Sequence, residues 1–213
     1  MTHYSVATVD NTKNVNRNEQ EREYLLTWLT TELAATICGS KPSTILTLTD
    51  TKQQPLFTLW KQYGGHVLDN TLIESMSLRS YTDKETVLFY RPEMLEKCIT
   101  NIHHKKFLQH LGYKIDEGLA SCLALLKKRF QDCCPHEMGV LLGIPLKDVL
   151  GFMSMTNLPQ TCRKEWCIYG NPEVSLSIIR KFDEDRSMVS CMLADGITPY
   201  EIMCGKALAS NIA

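Results

Sequence analysis

Apolar residues at helical spacing, Tyr24, Leu25, Trp28, Leu29, Leu33 and Ile37, predict a helix over residues 21–37 with Gly39 as its stop. Residues 1–20 are polar and poor in apolar side chains, which reads as a disordered leader. Thr44-Ile45-Leu46-Thr47-Leu48-Thr49 is β-rich and marks a first strand. Leu56, Leu59, Trp60 and Tyr63 give a second helix, closed at Gly64-Gly65. Residues 72–81 and 86–91 predict a hairpin, with Thr82-Asp83-Lys84-Glu85 as its turn. Pro92 opens a helix to about Ile102, and Phe107, Leu108 and Leu111 suggest a short one ending at Gly112. The clearest helical face carries Leu119, Cys122, Leu123, Leu126 and Phe130; Asp116 is read as its cap, and Lys127, Lys128 and Arg129 stand near its C-terminus, where positive charge is favoured.

The most apolar neighbourhood of the chain runs from Cys133 to Phe152. It reads as two short helices, opened by Pro135 and Pro145 and separated by Gly143, because proline suits a first helical position and glycine a stop. Beyond it, residues 154–165 are irregular and polar, and Trp166-Cys167-Ile168-Tyr169-Gly170 is a short strand. Asn171-Pro172-Glu173 opens a helix bearing Val174, Ile178, Ile179 and Phe182. Thr198-Pro199-Tyr200-Glu201 has capping-box spacing, and residues 206–213 read as a frayed tail. The order of elements gives an α+β fold. Residues 21–205 form one domain, a small mixed sheet of about four strands packed against several helices. Strands and helices do not alternate strictly and no G-x-G-x-x-G or Walker-type loop is present, which argues against a dinucleotide-binding fold.

Composition narrows the class. The 213 residues are 44% hydrophobic and 22% charged, ordinary for a globular protein. A formal net charge of −1 offers no reason to expect nucleic-acid or anionic-membrane binding. No apolar run approaches a membrane span, and the polar N-terminus lacks a hydrophobic signal region, so the cytoplasm is the expected location. Nine cysteines, irregularly spaced, argue against a disulfide framework, and no C-x-x-C pair marks a zinc ribbon or redox site.

Pro135-His136-Glu137-Met138-Gly139, Leu142-Gly143-x-Pro145 and Asp148-Val149-x-Gly151-Phe152 together look like the central signature of a bacterial family of unknown function, DUF3793. Gly39-Ser40-Lys41-Pro42-Ser43, Phe89-Tyr90-Arg91-Pro92 and Trp166-x-x-Tyr169-Gly170 resemble three further elements, so the likeness covers roughly residues 30–185. Two positions depart from the family pattern: Cys134 stands where an aromatic residue is usual, and Cys167 replaces a lysine. The resemblance implies a link with iron or redox metabolism, and no particular reaction.

Chemistry concentrates at His136 and Glu137, read in a first helical turn beside N–H groups without helical partners. Converging with Lys41, Arg91 and Tyr169, they would form a pocket for a small anionic ligand such as a phosphate or carboxylate. The competing reading is structural: Glu137 caps its own helix and Arg91 pairs with a carboxylate. Cys133, Cys134, His136, Cys162 and Cys167 are the candidate soft ligands for zinc, an iron–sulfur centre or haem. Against them stand the adjacency of Cys133 and Cys134 and the missing C-x-x-C spacing, so no cofactor is the leading expectation. His103-His104-Lys105-Lys106 reads as a solvated basic face or turn. Three functions follow: an accessory protein binding a small ligand, a small enzyme using His136 as general acid or base, and a module that binds a protein partner.

Overall fold

A computed structural model describes residues 7–210. Three strands, β1 (Ser43–Thr49), β2 (Glu74–Ser80) and β3 (Lys84–Tyr90), form an antiparallel sheet in the order β1-β3-β2. Ser43 stands opposite Tyr90 and Thr49 opposite Lys84, while a bulge at Leu78 shifts the β2–β3 register. Successive β3 side chains serve opposite faces of the sheet. Val87 and Phe89 enter one apolar cluster with Leu25, Leu29, Leu48 and Trp60; Leu88 and Tyr90 enter another with Leu95, Leu108, Leu126 and Val140. The sheet is therefore the middle layer of three.

The first outer layer holds α1 (Ala7–Glu32), α2 (Ala34–Cys38), α3 (Leu56–Tyr63), α9 (Glu173–Ala194) and α10 (Pro199–Met203). α11 (Lys206–Ser210) packs on α10. The other outer layer holds α4 (Pro92–Thr100), α5 (Ile102–His110), α6 (Leu119–Phe130), α7 (Met138–Leu141) and α8 (Leu146–Phe152). At the start of β1, Ser43 Oγ donates to Leu141 O at 2.7 Å and pins the sheet to the second outer layer, while Arg91 N donates to Pro42 O at 3.2 Å and extends the β1–β3 pairing by one more residue pair. A separate antiparallel ribbon pairs β4 (Gln160–Arg163) with β5 (Cys167–Tyr169) and lies against α8.

The chain is thus an α+β domain, but its strands are not one mixed sheet of four. Residues 167–169 join the local ribbon instead, because closing a three-residue turn costs far less loop entropy than reaching a sheet built from residues 43–90. The polar N-terminal stretch also differs from expectation from Ala7 onward, where α1 begins. An i,i+4 pair between Arg17 and Glu21 supports it, and Tyr63 donates its hydroxyl to Glu21 at 3.0 Å. Residues 1–6 of the expected leader and 211–213 of the expected tail lie outside the described residues. Asp116 does not cap α6. It sits in a 3₁₀ turn, Ile115–Glu117, and pairs with Lys105 at 2.6 Å, while Gly118 leads into the helix. Thr198 and Glu201 form the capping box their spacing predicts. No helix among the described residues is long and apolar enough to cross a membrane.

Candidate functional site

Two short helices follow Pro135 with Gly143 between them, and the first opens in a tighter turn. Residues 135–137 make i→i+3 turns, Glu137 is the N-cap of a four-residue α7, and Gly143 stops it at φ +81°. A Cβ on Gly143 would stand 2.9 Å from Pro42 Cδ, so this glycine serves both the turn and the close approach of the Lys41–Pro42 loop. Pro145 then N-caps α8.

On α8, Asp148 is only 1% exposed. Its carboxylate accepts hydrogen bonds from Tyr169 N at 2.8 Å, Trp166 Nε1 at 2.9 Å and Ser175 Oγ at 2.6 Å. Lys147 Nζ lies 2.6 Å away and donates to Tyr169 O at 2.8 Å as well. One acid therefore ties α8 to β5 and to the start of α9. Burial pushes its pKa up, but Lys147 and the hydrogen bonds from Ser175, Tyr169 N and Trp166 outweigh burial and hold it below the ordinary carboxylate value. The Tyr169 ring lies directly on Gly151, where a Cβ would come within 2.3 Å of its Cγ.

This junction leaves a cavity of about 260 Å³ between α8 and the ribbon. Ile144, Asp148, Val149 and Phe152 line one side; Arg163, Glu165, Trp166 and Cys167 line the other. Arg163 stands opposite Cys167 in the ribbon register, so both side chains share a face. Glu165 is engaged by Arg186 at 2.9 Å. Among the described residues, no carboxylate lies within salt-bridge distance of Arg163.

The five residues read from the sequence as a pocket take different places, and none lines this cavity. Two reach its walls through an aromatic neighbour. Lys41 Nζ lies 5.4 Å from the centre of the Phe182 ring, which meets Trp166 edge-on at 6.5 Å. Burial lowers the Lys41 pKa, an effect the nearby Glu165 charge partly opposes. His136 is exposed and meets the Phe152 ring edge-on at 5.0 Å. Tyr169 supplies its backbone to the Asp148 junction and its ring to Gly151. Arg91 caps α4, donates to Ile37 O at 2.9 Å and pairs with Glu93. Glu137 is buried, 2.7 Å from Arg129 Nε and accepting the Tyr113 hydroxyl at 3.1 Å. Burial and the Glu137 carboxylate push the Tyr113 phenol up, so it stays a donor.

Cys133 and Cys134 are exposed, Cys162 and Cys167 half-buried. Among the described residues no three His, Cys, Asp or Glu side chains gather in a way that could hold a metal ion. The cavity's own polar residues, Asp148, Arg163 and Glu165, were not among the candidates. The signal for Asp148 was present: a lone acid within Leu146–Phe152, a run otherwise dominated by apolar side chains. Arg163 and Glu165 carry no such signal, because their stretch has no periodicity.

A family model described as "Protein of unknown function (DUF3793)" matches residues 29–203, a span that includes the sheet, α8 and the ribbon. Comparisons with curated proteins and with solved structures gave no match.

Proposed function

The chain belongs to this family of unknown function, and from that premise we propose that it binds a small molecule in the cavity between α8 and the ribbon. The observation that carries this reading is the buried Asp148 junction. It fixes both walls in advance, and pre-organised concave sites with apolar walls and a few placed polar groups are where small ligands bind. Lys41 and His136 act in this reading from behind Phe182 and Phe152, while Arg91 and Glu137 belong to the supporting frame. The half-buried Cys167 thiol stands in the cavity wall.

Cys167 also provides the test. A collection of small fragments is added to the full chain, and alkylation of each cysteine is followed by peptide mapping. Occupants of the cavity slow alkylation of Cys167 and leave the exposed Cys133, Cys134 and Cys191 unchanged. If no fragment protects Cys167 selectively, the reading is wrong.

A further inference from the structure

The charges around the cavity do not cancel, and the remainder identifies a ligand class. Asp148 is spent on four donors. Glu165 is taken by Arg186, which also holds Asp183 at 2.6 Å. Arg163 has no carboxylate partner within salt-bridge distance among the described residues, and neither has Lys41, half-buried over Phe182. Arg163, Lys41, Lys147 and Arg186 set against Asp148, Glu165 and Asp183 leave one net positive charge, with the Arg163 guanidinium in the cavity wall and the Lys41 ammonium behind it. A guanidinium presents a planar fork that matches a carboxylate with two parallel hydrogen bonds.

The remaining walls are apolar. Ile144 and Val149 present branched aliphatic groups, and Phe152 and Trp166 present aromatic rings. About 260 Å³ lies just below the usual range for ligand pockets, too small for a nucleotide, a flavin or a haem. No glycine-rich loop frames the cavity, and a single lining cation suits a singly charged group better than a phosphate.

We infer that the cavity takes a small monocarboxylate with an aromatic or branched apolar body, its carboxylate held by Arg163 and its body between Trp166 and the aliphatic wall. The inference rests on the cavity being a ligand site, as proposed above. Arg163 is then the specificity-determining residue.

Phenylacetate, its uncharged analogue phenylacetamide and inorganic phosphate are the probes. Each is titrated into the full chain, and the Trp166 signal is taken as the difference in emission between the native chain and Trp166→Phe. Phenylacetate gives a saturable change, phenylacetamide binds at least about tenfold more weakly, and phosphate gives none. Arg163→Gln, at an exposed position, brings phenylacetate to the level of the amide. Equal binding of acid and amide, phosphate binding as tight as phenylacetate, or no binding of phenylacetate overturns the ligand class. In each case selective protection of Cys167 by other fragments preserves the cavity reading, and its absence removes both.

Discussion

Asp148 holds three elements with one side chain, so the consequences of its loss are specific. Asp148→Ala leaves the buried Ser175 hydroxyl and the half-buried Trp166 indole N–H and Tyr169 amide without their acceptor. The expected cost is about 3 kcal/mol, read as a lower urea midpoint at unchanged slope. The charge has its own signature. The folded pKa lies below the ordinary value, so ionised Asp148 stabilises the fold above about pH 4, and that contribution is lost as pH falls through the folded pKa. The stability gap between the native chain and Asp148→Asn is therefore flat near neutrality and narrows on acidification. A gap that widens below pH 4 would contradict the assignment. Gly151 is equally exacting for steric reasons. Gly151→Ala drives a methyl into the Tyr169 ring and costs about 2 kcal/mol in the same urea experiment.

At the scale of elements, the ribbon is the dependent part. A two-stranded hairpin of this length is marginal alone, and β4–β5 draws its stability from docking on α8. Asp148→Asn should accelerate amide exchange across 160–169 while leaving β1, β2 and β3 protected; uniform acceleration would mean that the ribbon is not a separate unit. The same dependence explains what could be read in advance. The β2–β3 hairpin and α6 were legible because turn residues and an apolar face lie within the local sequence. β4 was not, since Gln160-Thr161-Cys162-Arg163 carries no alternation and becomes a strand only against its partner. Lys41 and His136 were legible as unusual residues at element ends, but the aromatic rings that seat them come from α9 and α8. Pairings so distant in sequence leave no local pattern.

For the whole molecule, the central strand β3 links two cores. Val87 and Phe89 face one and Leu88 the other, which is why Thr86–Tyr90 reads as a continuous apolar run rather than an alternating one. Phe89 meets Trp60 edge-on at 5.2 Å. Phe89→Ala should cost about 4 kcal/mol and Leu88→Ala about 3 kcal/mol. Because both cores share the strand, either change should lower the midpoint seen by Trp60 emission and by far-ultraviolet circular dichroism alike. Midpoints that separate by probe would show that the layers unfold independently.

The Asp148 junction has a consequence for how the molecule can change over time. Its grip on β5 passes through the Tyr169 amide and carbonyl, which any replacement at Arg163 or Cys167 leaves in place. Arg163 and Cys167, two of the four ribbon residues that line the cavity, can therefore be exchanged without disturbing what attaches the ribbon. In the proposed ligand-binding role, such a separation makes recognition evolvable: descendants of one ancestral fold can come to take different small molecules through a few point changes on an interchangeable face, while the architecture beneath is inherited intact.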